Sequence, residues 1–150
     1  STLFPYTTLF RSCLKGEVPE KMLRGDYEGA KEAALRFAEI FPDRYYLEIQ
    51  NHGIPEEEAN IKNMKKLAAD LNLPLVCTND AHYAKQSHWE AHDILICLGT
   101  GKERSDPNRL RYATPEFYFK TQDEMHTLFK EFPQAIENTR KIAEIGRAHV

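Results

Sequence analysis

The chain has 150 residues and a formal net charge of −3, with 41% hydrophobic and 29% charged residues. That length bounds it to one domain or a piece of a larger one, and no apolar run is long enough to span a bilayer. The charge gives no global attraction to nucleic acid, so such a contact would need a local basic groove. Cys13, Cys77 and Cys97 are an odd number without C-x-x-C spacing, which argues against a disulfide framework and fits a reducing, cytoplasmic compartment.

The first clear element is "GDYEGAKEAALRFAEIFPD". Ala30, Ala33, Ala34, Phe37, Ala38 and Phe41 follow helical spacing, Asp26 suits the N-cap, and Pro42 ends the run. "RYYLEIQ" reads as a strand and "NHGIP" as a turn. "EEEANIKNMKKLAADLN" reads as a second helix, with Ile61, Met64, Leu67, Ala68 and Leu71 on one face and its acids leading, as the helix dipole favours. "LPLVCT" is the next strand. Short apolar strands alternating with helices predict α/β architecture with a parallel sheet. A helix is expected over residues 87–98, then the polar loop "GTGKERSDPNRLRY". "EFYFK" reads as a short strand or extended piece. Thr121 and Glu124 form a T-x-x-E capping box opening a helix, and Pro133 starts a last helix ending near Glu144.

The chemistry lies in "LPLVCTNDAHY". Functional groups of parallel α/β folds cluster at the C-terminal ends of strands. Residues i and i+2 of an extended backbone point the same way, so Asp80 and His82 offer a carboxylate and an imidazole to one point. That is half of a Zn²⁺ or Mn²⁺ site. The same D-x-H is also compatible with an Asx turn beside a surface histidine.

The ends read differently. "TLFPYTTLFRS" near the start resembles the translation of a sequencing-library adapter, and "IGRAHV" at the end resembles the opposite adapter. Residues 1–12 and 145–150 are therefore expected to be adapter-derived, without a packing role, around a natural segment of 13–144.

Within that segment, "CLKGEVP", "YYLEIQNHG", "TNDAHY", "EAHDIL", "EFYFKT" and "ENT" stand in an order and spacing that resembles the PHP (polymerase and histidinol phosphatase) domain of bacterial replicative DNA polymerase III alpha subunits. The resemblance implies a partial, distorted β/α barrel, with residues 13–111 as its C-terminal part and 112–144 leading toward a polymerase core. It also implies a metal cluster in which Cys13, Asp80 and His82 match ligand positions, taking Zn or Mn. The family's early H-x-H lies upstream of this segment, and its glycine before the cysteine is replaced here by Ser12. The palm carboxylates that hold Mg for nucleotide transfer lie downstream. Partners implied for the parent are DNA, nucleoside triphosphates, a proofreading exonuclease and a sliding clamp, with no membrane.

Other residues carry two readings each. Cys13 could be a small buried hydrophobe, and Cys77 and Cys97 fit that description. Glu48, Gln50 and His52 end the first strand on the functional side, and His92 lies in "EAHDIL". All four could support the ligands from behind or serve structural hydrogen bonds. His88 and His92 share a helical spacing that suits a metal pair or a solvated face. Lys102, Arg104, Arg109 and Arg111 form a basic cluster in a loop, open to nucleic acid, a neighbouring domain or solvent. Three functions follow: a fragment of the polymerase subunit, a stand-alone PHP phosphoesterase, or a metal-free scaffold that docks a proofreading exonuclease. The tail from Arg111 to Glu144 favours the first, since a phosphatase has no evident need of it.

Overall fold

The computed structural model describes residues 10–12 and 15–145. Three parallel strands, β1 (Phe10–Ser12), β2 (Tyr45–Ile49) and β3 (Leu75–Cys77), form a sheet in the order β1-β2-β3. Phe10 lies opposite Tyr45, and Leu47 opposite Leu75. Parallel neighbours require crossovers. These are α1 (Glu17–Leu23) with α2 (Tyr27–Ile40), and then α3 (Pro55–Leu71). After β3 come a single 3₁₀ turn (Gln86–His88), α4 (Trp89–Thr100), α5 (Gln122–Leu128) and α6 (Pro133–Ile145). Among the described residues, no helix is long and apolar enough to cross a membrane.

Local signals account for the boundaries. The Asp26 side chain accepts the Gly29 amide at 3.0 Å and opens α2. Pro55 begins α3 without loss, because its missing N–H would be unpaired there in any case. Asn72 ends α3 in the left-handed region, with φ of 52°, a conformation that asparagine tolerates. Gly101 ends α4 in the same way, with φ of 64°. The Thr121–Glu124 capping box is present in both directions.

All five residues of β2 are buried, as expected of a central parallel strand covered on both faces. Val18 and Met22 of α1, three alanines of α2, Met64 and Leu67 of α3, and Phe129 and Ala135 close the core around it. The α2 alanines permit close approach. Asn138 of α6 donates to the Leu75 carbonyl at 2.8 Å. This satisfies a backbone acceptor of the outer strand β3, which would otherwise stand open. The segment after Tyr112 thus shares the core of the preceding part.

One expectation is corrected, one is narrowed, and one element is new. Phe10–Ser12, expected to have no packing role, pair with β2. Of the two forms expected of "EFYFK", a short strand or an extended piece, the structure takes the second: it makes one isolated parallel bridge, Tyr83 to Tyr118, and Phe119 is 73% exposed. The helix α1 was not expected. It spans only seven residues, too few to show a period, and its Pro19 sits in the first turn, where proline is tolerated.

Candidate functional site

An open cleft of about 530 Å³ lies at the C-terminal ends of β2 and β3, lined by Glu48, Gln50, Asp80 and His82 among others. Its floor is a hydrogen-bonded ladder across the two strands. Thr78 donates to the buried Glu48 carboxylate at 2.5 Å, and Gln50 donates to the Thr78 hydroxyl at 3.0 Å. Beyond β3, Asn79 donates to the Tyr118 carbonyl at 2.8 Å. The His82 amide donates to the Phe117 carbonyl at 2.8 Å. The chain is thereby turned so that Asp80 and His82 face the cleft.

The two side chains meet. Asp80 Oδ2 lies 3.1 Å from His82 Nε2, with the carboxylate about half exposed and the imidazole a third exposed. The Tyr112 hydroxyl is 3.0 Å from both ring nitrogens of His82. Burial first, then the Asp80 charge, raises the Tyr112 phenol above its ordinary value of 10.0, so at neutral pH it is a hydroxyl that can donate. One proton placement satisfies all three groups: His82 Nε2–H donates to Asp80, and Tyr112 donates to Nδ1.

His52 is the most enclosed polar residue of the site, 1% exposed. Its backbone N–H donates to Glu57 Oε2 at 2.5 Å, and its Nδ1 lies 2.7 Å from Glu57 Oε1. Its Nε2 faces the Asp80 amide at 3.3 Å, and its ring stacks on Phe117 with centroids 4.3 Å apart. Both ring nitrogens are thus engaged within the protein. His92 lies beside Tyr83, Tyr112 and His82, with centroids 5.1, 5.3 and 6.0 Å away, and its Nδ1 has no hydrogen-bond partner.

The structure therefore brings Asp80 and His82 together, with Glu48, Gln50, His52 and His92 around them. Cys13 lies outside the described residues. Among the described residues, no group of three His, Cys, Asp or Glu side chains is gathered closely enough to hold a metal ion. The donors do suit a divalent metal in kind, because a carboxylate and an imidazole stand side by side on the open side of the cleft. They supply two ligands, and a further one must come from elsewhere.

Glu57, Thr78, Tyr112 and Phe117 were missed by the sequence reading. Only Glu57 left a signal. It stands at the third position of α3, where a carboxylate can reach back to preceding amides, but within an acidic run that is equally explained by the helix dipole. The basic loop cluster is mostly consumed internally. Arg109 pairs with Asp93 through both terminal nitrogens, Arg104 reaches the same carboxylate at 3.2 Å, and Lys102 pairs with Asp106 at 2.9 Å.

The sequence is similar over most of its length to proteins named DNA polymerase III subunit alpha. It is 45% identical over 134 residues to that of Treponema pallidum and 41% identical over 133 residues to that of Borreliella burgdorferi. It is 35% identical over 139 residues to that of Deinococcus radiodurans. The matches cover 89%, 89% and 91% of this chain. The chain spans only 12%, 12% and 10% of those relatives. No family model matches it.

Proposed function

We propose that this chain is a segment of a bacterial replicative DNA polymerase III alpha subunit, carrying the C-terminal part of its PHP domain. The observation that carries the reading is the similarity to alpha subunits over about nine-tenths of the chain. It is joined by the Asp80–His82 pair at the strand ends. The parent would extend a primer by attack of its 3′-hydroxyl on a nucleoside triphosphate, with Mg²⁺ held by palm carboxylates outside this segment. DNA, nucleoside triphosphates, a proofreading exonuclease and a sliding clamp are the partners proposed for that parent. Residues 13–111 would belong to a distorted β/α barrel and 112–144 would lead toward the polymerase core. Residues 1–12 and 145–150 would be adapter-derived.

At the cleft, Asp80 and His82 would hold a Zn or Mn ion. Cys13 is proposed as a further donor, supported by its chain neighbours: β1 ends at Ser12, and Lys15 lines the same cleft. A bound ion would supply Lewis acidity to a phosphate or a water. Glu48 and Gln50 hold Thr78, and His52 holds the Asp80 amide, so these residues support the donors and are not themselves free to bind. One observation favours a metal-free scaffold as the second reading. Asp80, His82 and Tyr112 satisfy one another's hydrogen bonds without an ion.

The decisive experiment is to sequence the flanking genomic DNA. An H-x-H codon pair upstream and palm aspartates downstream are expected; a short open reading frame lacking both would overturn the proposal. The chain alone, given Mg²⁺, Mn²⁺ or Zn²⁺, is expected neither to extend a primer nor to hydrolyse a phosphate ester. Metal-dependent hydrolysis abolished by Asp80→Ala would instead favour a stand-alone phosphoesterase.

A further inference from the structure

The Asp80–His82 pair is not held by a strand. Regular β3 ends at Cys77, so the extended-backbone argument that brings residues i and i+2 to one side does not by itself fix these side chains. The bonds that do fix them lead to one buried residue.

Glu57 stands on the first turn of α3, 4% exposed. Its two oxygens take the backbone N–H and Nδ1 of His52 at 2.5 and 2.7 Å. A carboxylate in this position accepts, so Nδ1 carries the proton and Nε2 keeps its lone pair. That lone pair faces the Asp80 amide at 3.3 Å. The flat face of the same ring is stacked on Phe117, within 2° of parallel, and the Phe117 carbonyl takes the His82 amide at 2.8 Å. The His52 carbonyl accepts from Thr114 at 2.6 Å. An imidazole is one of few side chains able to present a donor and an acceptor from opposite edges of a rigid ring. A phenyl ring there would leave the buried Glu57 unpaired, which is costly.

We infer that the buried Glu57–His52 pair is the positioning device of the site: Glu57 fixes the tautomer of His52, and His52 holds the backbone of Asp80 by its ring nitrogen and that of His82 through Phe117. The inference rests on the reading of Asp80 and His82 as the working side chains. His52 touches neither an ion nor a substrate; it acts through the loop.

The test separates the two edges of the ring by amide hydrogen exchange on the full 150-residue chain. In His52→Gln the amide group reaches the Nε2 position and keeps an acceptor for Asp80. In His52→Asn it reaches only the Nδ1 position and leaves Asp80 without one. His52→Asn is expected to speed exchange at Asp80 and His82 about fivefold to tenfold, the scale of one lost hydrogen bond, with the β2 amides unchanged. His52→Gln is expected to stay within about threefold of the unaltered chain at Asp80. Glu57→Gln, which leaves one acceptor for two donors, is a milder variant that also raises Asp80 exchange. Equal effects of Asn and Gln at Asp80, or acceleration spread evenly through β2, would overturn the inference and leave His52 an ordinary core residue. Mn²⁺ titration of the same proteins provides the second readout. Affinity is expected to fall about tenfold in His52→Asn, as when a supporting hydrogen bond is removed, and to be retained in His52→Gln. A chain without Mn²⁺ affinity would overturn the metal reading above and leave the exchange comparison to decide this one.

Discussion

Leu47, Ile49, Met64 and Leu67 around β2 have no exposed surface, whereas Ile94, Leu95, Leu98 and Leu110 in residues 79–120 are 47–74% exposed. The two regions are held by different forces. Around β2, apolar side chains from four helices close on a strand buried on both faces. In residues 79–120, the chain is tied by directed polar contacts: the Asp93 clamp on Arg104 and Arg109, the Tyr83–Tyr118 bridge, Asn79 on the Tyr118 carbonyl, and Thr114 on the His52 carbonyl. The candidate site lies on the seam between them. Its Glu48 and His52 belong to the apolar layer, and its Asp80 and His82 to the polar segment. The enclosed layer supplies rigidity, and the polar segment supplies exposed side chains at a fixed height above it.

The strongest way to break this contrast is to cut into the enclosed layer. Leu47→Ala removes a side chain with no exposed surface from the central strand. It is expected to cost about 3 kcal/mol, through lost burial and an unfilled cavity. Urea unfolding of the variant beside the parent measures it. A loss under about 1 kcal/mol, the ordinary size of an average substitution, would mean that the layer around β2 is not the stabilising core.

A smaller, pH-dependent effect is expected in the polar segment. Hydrogen bonding from Arg109, reinforced by Arg104, holds the Asp93 carboxyl below its ordinary value of 3.8. A depressed carboxylate contributes stability above its unfolded value and loses it as pH falls through the folded one. The clamp therefore holds at neutral pH and releases in acid, below about pH 3.8, the unfolded value. Trp89, the single tryptophan, opens α4 close to Asp93, so its fluorescence reports the release. Asp93→Asn is expected to loosen the loop already at neutral pH and to flatten that acid transition. An unchanged transition in the variant would assign it to other carboxylates.

The same contrast explains what the sequence could reveal. α2, β2, α3 and β3 were legible because apolar burial imposes a period, and Asp26, Pro42 and the Thr121–Glu124 box mark boundaries by local chemistry. The polar segment has no such period. Its "EFYFK" has strand composition, but its partner offers one bridging residue, Tyr83, so no ladder forms. The pairing of Asp80 with His82 was legible from i, i+2 spacing, although a bent loop held from outside delivers it. The support from Tyr112 and Phe117 was not legible, and that from Glu57 left only its place in the first turn of α3. The Tyr112 and Phe117 contacts join residues far apart in sequence, and neither composition nor spacing encodes them. Arg104 and Arg109 looked available because their acceptor, Asp93, lies on another element.

The smallest expected effect sharpens the contrast most. Leu95 and Leu98 of α4 are 63% and 74% exposed, so little apolar area is lost from this chain when they are replaced. Glutamine has nearly the helix propensity of leucine, so Leu95→Gln with Leu98→Gln tests burial without changing the local preference for helix. The pair is expected to shift unfolding by no more than about 0.5 kcal/mol, the range of surface substitutions away from special features. α4 is anchored from its other side by the buried Asp93 and Cys97, and both remain. A loss above about 1 kcal/mol would instead have the magnitude of a core contact. That result would mean that the outer face of α4 is covered within the chain in solution, and that residues 79–120 are held by apolar packing like the layer around β2. Urea unfolding measured beside Leu47→Ala in one series reads both ends of the comparison on the same scale.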